Sequence, residues 1–181
     1  SYGMVSFSNG NDYFCCSGNG FDCSISSAAL CIMLNLDGLA AGAAVVGCSA
    51  QMIGFAVISF RENGWGGLLS QGIGTSMLQF GNIMRKPQIW IAPTLTSAIL
   101  GPISTCVFQM TNTPTGAGMG TSGLVGQFGA FAAMGETLGQ AQIFAEVLLM
   151  HFVAPAILAL LIDLVMRKIG WVKEGDMKIS V

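Results

Sequence analysis

The feature that most constrains this chain is a run of 49 residues without a charged side chain, from Pro87 to Gly135, between Lys86 and Glu136. Shorter runs precede it: 23 uncharged residues between Asp37 and Arg61, and 22 between Glu62 and Arg85. About 20 consecutive apolar residues cross the hydrocarbon core of a bilayer as a helix. A water-facing surface needs charge, and soluble domains carry roughly 25% charged residues. Here the share is 9%, with 52% hydrophobic residues. The expectation is an all-α polytopic membrane protein with broken helices and a re-entrant hairpin. After residue 25 there is room for three or four spans or part-spans.

Organisation follows from where polarity returns. Residues 1–24 are rich in Ser, Gly and Asn and show no helical period, so they read as an irregular polar segment. Residues 25–168 read as the transmembrane domain and 169–181 as a charged, soluble tail. Within the domain, 25–34 is apolar but short, and 39–60 is the first full span. Gly38 and Gly42 give it a small-residue contact, and Ser49 and Gln51 are its interior polar groups. RENGWGG (61–67) reads as a turn. Residues 68–84 read as an uncharged amphipathic helix, with Leu69, Ile73, Met77, Phe80 and Met84 on one face and Gln71, Thr75, Gln79 and Asn82 on another. Whether it crosses the membrane stays open. RKPQ (85–88) is a second turn, and 89–108 is a span interrupted by Pro93 and Pro102, with Trp90 as an interfacial anchor. Residues 109–139 are too polar and glycine-rich for a simple helix. Irregular backbone survives at membrane depth only when buried in protein or lining a cavity, so this stretch reads as a re-entrant hairpin. Residues 143–166 form the last span. Arg85, Lys86, Arg167, Lys168, Lys173 and Lys178 flank the late spans, which by the positive-inside rule places the C-terminus in the cytoplasm.

Several chemistries find no support. There is no P-loop, no HExxH and no Ser/His/Asp motif context. No basic stripe with interleaved aromatics points to nucleic acid. Cys15, Cys16 and Cys23 lack zinc-site spacing, and Cys31, Cys48 and Cys106 read as small residues in apolar runs. No metal or cofactor is expected. Gly118–Gly123 matches G-x-G-x-x-G but lacks the strand before it that a dinucleotide fold needs. A single histidine argues against a His-based phosphoryl relay.

What remains is a set of uncharged hydrogen-bonding groups. Gly120, Gly123, Gly126 and Gly129 recur at every third position. One reading is tight helix packing. The other is a backbone loop that meets a polar solute, with Gln109, Asn112, Thr113, Thr121, Ser122 and Gln127 supplying hydrogen bonds. Such groups suit a neutral sugar or polyol, whose hydroxyls donate and accept. Glu136 ends this region. His151 lies on the last span, where Pro155 frees a carbonyl, and an ionisable group in a span is a functional candidate. It can also serve only to bond a neighbouring helix. Glu146 and His151 are five apart, about 140° around a regular helix. Asp163 and Arg167 are one turn apart and read as an interfacial ion pair.

Five segments then point to a family: ISSAAL (25–30), GLAAGAAVVGCSAQMIGFAVISFRENG (38–64), GLLSQGIGTSMLQFGNI (67–83), PQIWIAPTLTSAILGPI (87–103) and GAGMGTSGLVGQ (116–127). Over about residues 25–170 the chain resembles the membrane subunit IIC of the bacterial phosphotransferase system. The branch is the stand-alone sugar permeases that include toxin-regulator membrane proteins. The resemblance implies a multi-pass permease of the bacterial inner membrane. It implies a sugar or polyol substrate, IIA/IIB-type cytoplasmic partners that carry the phosphoryl group, no phosphoryl-accepting residue of its own, and a homodimer. It maps the sugar site onto residues 112–136, with Glu136 in GETLG as the carboxylate and Asn112, Thr113, Thr121, Ser122, Gln127 and His151 as further candidates. Sugar permeases carry a Gly-Ile-Thr-Glu signature, of which Met134-Gly135-Glu136 keeps the Gly and Glu at shifted spacing. Residues 1–24 also depart from the family, and a truncation or shifted reading frame is expected there. Two alternatives stand beside transport: a membrane sugar sensor derived from such a permease, and a structural module whose glycines only pack helices.

Overall fold

The structure is a computed structural model that describes residues 31–74, 76–135 and 139–179. Expectations for 1–30, Thr75, the Met77 side chain and Glu136 lie outside the described residues. The described residues are helical, with one isolated backbone bridge between Gly38 and Asn112.

Helix α1 (Gly38–Ile58) is the axis of the fold. The Asp37 carboxylate accepts the Gly38 N–H at 2.8 Å and starts it. At about 1.5 Å per residue it matches a hydrocarbon core of about 30 Å. It is 67% buried, against 33% for the two other helices long and apolar enough to cross a membrane, Pro87–Cys106 and Gln140–Ile169. Small residues make that burial possible. A Cβ at Gly42 would run into the Met110 carbonyl, so backbone packs on backbone there.

RENGWGG is not a simple turn. Helix α2 (Phe60–Leu69) runs through it and breaks at Gly64, whose φ is 59°. The Glu62 and Asn63 amides bond the Ser59 carbonyl and draw the segment into a helix. The continuous amphipathic helix expected over 68–84 is also corrected. It divides into a wide turn at Ser70–Gly74, a tight one at Ser76–Gln79 and a short helix α3 (Phe80–Arg85). The two faces survive the division. Leu69, Ile73 and Met84 are exposed, while Gln71 and Gln79 are fully buried. Gln71 explains part of the distortion, because its amide donates to Ser59 Oγ at 2.8 Å and to the Gly67 carbonyl at 3.2 Å.

A tight turn at Pro87–Trp90 leads into α4 (Ile91–Cys106). Pro93 sits in its first turn, where the missing N–H costs nothing, and Pro102 lies inside the helix without ending it. The chain then turns through Gln109, with φ 49°, and the Asn112 amide bonds the Gly38 carbonyl at 3.2 Å. α4 therefore ends beside the start of α1. Helices α5 (Pro114–Met119) and α6 (Val125–Met134) follow. The turn between them carries positive φ at Gly120, Gly123 and Leu124. A Cβ at Gly120 would lie 2.8 Å from that of Cys48, midway along α1.

The last long helix comprises α7 (Gln140–Leu148), a wide turn at Leu149–Val153 and α8 (Ala154–Ile169). The wide turn precedes Pro155, which cannot donate to the carbonyl four residues back. Gly170, with φ 84°, stops α8, and the Trp171 amide closes the end on the Met166 carbonyl.

The tail is not a free soluble segment. Val172 and Met177 are buried. Asn63 and Gln79 both donate to the Met177 carbonyl, at 2.8 and 2.9 Å. The Met177 amide donates to Glu62 and the Ile179 amide to Asn63, each at 2.8 Å. Lys86 reaches Asp176 at 2.7 Å. These contacts bring α2, α3 and the end of α8 to one end of the molecule. All seven Lys and Arg side chains belong to segments meeting there, as do the three tryptophans, Trp65, Trp90 and Trp171, each more than half exposed.

The Lys86–Asp176 contact carries a pH dependence. Desolvation pushes the Asp176 carboxyl up, but the Lys86 ammonium and the Lys173 amide outweigh it and hold it below the usual carboxylate value. A depressed carboxylate stabilises the fold above its unfolded value, about pH 4, and loses that contribution as pH falls through the folded value. The pair is partly exposed, so the effect is under about 1 kcal/mol. Hydrogen-exchange protection factors of the 171–179 amides should therefore fall modestly below about pH 4. Lys86→Gln should remove that step, and an unchanged step would refute the assignment.

Candidate functional site

The α5–α6 hairpin starts beside Gly38 and turns midway along α1, so its polar residues lie inside the helix assembly. Asn112 is fully buried, and both ends of its amide are engaged. Its Nδ2 donates to the Gly126 carbonyl at 2.8 Å, and its Oδ1 accepts the Thr113 amide at 2.7 Å. Gly116 and Gly129 make room, because a Cβ at either would strike Asn112 Oδ1. Thr113 caps α5, accepting the Gly116 amide at 3.3 Å. Asn112 thus ties the start of α5 to α6, while Thr113 caps α5.

Thr121 and Ser122 are engaged at the turn. Thr121 Oγ1 donates to the Gly72 carbonyl at 2.6 Å, and Ser122 Oγ donates to the Gly74 carbonyl at 3.2 Å. Residues 60–86 leave the basic end and return to it, since Asn63, Gln79, Asn82 and Lys86 all bond the tail. Their tip at 70–74 meets the α5–α6 turn, which comes from the other end of α1. The sequence reading missed this junction. Its signal was a cluster of glycines, Gly72 and Gly74 against Gly120 and Gly123, that marks close backbone approach without naming partners.

Gln127 and His151 are brought together from α6 and from the wide turn before Pro155. Gln127 Nε2 lies 2.9 Å from His151 Nδ1. Gln127 is 7% exposed and His151 not at all. Two polar atoms of the pair, Gln127 Oε1 and His151 Nε2, have no hydrogen-bond partner although buried. If the glutamine donates, His151 Nδ1 accepts, the neutral ring keeps a spare Nε2–H donor and the amide keeps a spare Oε1 acceptor. If the amide is turned round, the ring donates from Nδ1, leaving Nε2 an acceptor and the amide nitrogen a donor. Either way the pair keeps a spare donor and a spare acceptor. Ser49, fully buried on α1, also has an unpartnered Oγ. It lies one residue from Ala50, which shares a buried cluster with Val46, Ala130, Met134 and Met150. Buried polar groups are ordinarily satisfied, and the Gln127–His151 pair holds two that have no partner among the described residues.

Glu146 is not joined to His151 by any described contact. It accepts from Gln142 at 3.0 Å on its own helix. Asp163 and Arg167 form the expected pair at 2.7 Å, with the Asp163 side chain buried. Arg167 also reaches Glu62 at 3.5 Å and the Ile58 carbonyl at 3.4 Å. Among the described residues no group of His, Cys, Asp and Glu side chains is placed to hold a metal ion.

No curated protein and no solved structure matches the chain. Over residues 23–179, most of its length, the chain matches the family model described as phosphotransferase system, EIIC, and it belongs to that family of membrane transport subunits.

Proposed function

We propose that the chain binds a sugar or polyol and passes it across the bacterial inner membrane, with IIA/IIB-type cytoplasmic subunits supplying the phosphoryl group from phosphoenolpyruvate. The observation that carries this reading is the buried Gln127–His151 pair with its spare donor and acceptor. A hydroxyl group needs one of each. The 109–139 segment, entering and leaving from the Gly38 end, acts as the re-entrant hairpin that brings Gln127 to the site, and Glu136 adds a carboxylate near its close. Asn112, Thr113, Thr121 and Ser122 serve the solute by holding the hairpin's shape. All seven basic residues gather at the tail end; the positive-inside rule assigns that end, and the C-terminus, to the cytoplasm. The family's homodimer belongs to the same proposal.

The test is the thermal midpoint of the purified protein against a panel of sugars and polyols. A ligand present at 100 times its Kd stabilises the folded state by about 2.7 kcal/mol. One sugar should raise the midpoint, and Gln127→Leu and His151→Phe should abolish the shift while the proteins stay folded. A shift that survives both variants would refute the pair as the site, and a shift lost only in Glu136→Gln would move the site to the end of the hairpin.

A second reading, a sugar sensor, is favoured by the connection from Thr121 to Gly72 and from Gln79 to the tail at Met177. It predicts ligand binding without flux in proteoliposomes.

A further inference from the structure

At the basic end, an open groove of about 580 Å³ runs between α2, the end of α8 and the tail. Its lower wall is Leu161, Leu164 and Val165, each about half exposed and turned away from the core. Arg61, Arg167, Lys168 and Glu174 line the rest. Arg167 is already committed to Asp163 and Glu62. Among the described residues neither Arg61 nor Lys168 is in an ion pair. Exposed Trp171 follows α8 at once, as a side chain at headgroup depth does. The groove therefore has an acyl-compatible wall on the hydrocarbon side, two unpaired cations at headgroup level, and one exposed carboxylate beyond them.

We infer that this groove is a binding site for an anionic phospholipid with a hydroxylated headgroup, of the phosphatidylglycerol type. The phosphate sits on Arg61 and Lys168, an acyl chain lies along Leu161, Leu164 and Val165, and Glu174 accepts a headgroup hydroxyl. Charge decides the class: Arg167 is taken up by Asp163 and Glu62, which leaves two cations, Arg61 and Lys168, against the single carboxylate of Glu174 in the lining. Basic pockets at the cytoplasmic side of membrane helices favour anionic headgroups. This inference does not depend on the sugar site.

Native mass spectrometry of the full chain in detergent tests it, with phosphatidylglycerol, phosphatidylethanolamine and phosphatidylcholine of matched acyl chains in equal amounts. Phosphatidylglycerol should be retained about tenfold over phosphatidylcholine. Arg61→Gln/Lys168→Gln should bring the ratio to parity, while Arg85→Gln, a cation outside the groove, should leave it unchanged. Leu164→Trp fills the groove from an exposed position without altering charge and should lower retention. Equal retention of all three lipids by the wild type, or a preference for phosphatidylethanolamine, overturns the site. So does an equal loss in Arg85→Gln, which would mark a diffuse surface attraction. A protein dimer that excludes lipid and dissociates in the double variant would overturn it in favour of a second copy.

Discussion

Asn112→Leu should lower the stability of the folded chain by roughly 1–3 kcal/mol, because it leaves the Thr113 amide without a partner and strips the Gly126 carbonyl of its side-chain bond. Both groups are served by the one Asn112 side chain. Leucine supplies neither bond and is bulkier where Gly116 and Gly129 leave space only for the amide. The thermal midpoint in detergent, with no sugar present, reads the effect. Asn112→Asp keeps the acceptor for Thr113 but loses the donor and buries a charge, so it should fall as well. A ligand-free midpoint equal to wild type in Asn112→Leu would mean that this tie does not hold the hairpin.

The second large effect is expected at Arg167. Its guanidinium reaches Asp163 and Glu62, whose side chains are 5% and 7% exposed, and is itself 14% exposed. Arg167→Met strands Asp163 in a poorly solvated place and leaves Glu62 with the Met177 amide alone, and breaking such a pair typically costs about 3–5 kcal/mol. The triple replacement Glu62→Gln/Asp163→Leu/Arg167→Met removes the stranded charge and should recover most of the loss, since buried ion pairs are often no better than apolar packing. Denaturant midpoints of the two variants decide the matter. If Arg167→Met is neutral, or if the triple variant is no better than the single, the cluster is not the junction between α1, α2 and α8 described above.

How much of this was legible in the sequence depended on whether a contact is local. The spans read as 39–60, 89–108 and 143–166 correspond to Gly38–Ile58, Pro87–Cys106 and Gln140–Ile169, because a charge-free run and its flanking breakers fix a membrane helix within itself. Asp163 and Arg167 were legible for the same reason, being one turn apart. Their third partner, Glu62, lies 105 residues away and was not. The docked tail was missed because its bonds run from Asn63, Gln79 and Asn82 to backbone carbonyls, which no residue type announces. RENGWGG carries the composition of a turn, and only the Ser59 carbonyl draws it into a helix. In the candidate site, Gln127 and His151 were both named from the sequence, but not as partners: 24 residues separate them, and the wide turn before Pro155 changes the angle a regular helix assigns to His151.

The junction between the 70–74 tip and the α5–α6 turn has a chemical consequence of its own. Two side-chain hydroxyls, Thr121 and Ser122, hold the carbonyls of Gly72 and Gly74 where the two meet. A hydroxylated molecule at that seam would bring the same functional group. It can replace either hydroxyl one for one, so parting the two around such a guest leaves no carbonyl unsatisfied. An apolar molecule of the same size has no such exchange to offer and would leave both carbonyls bare.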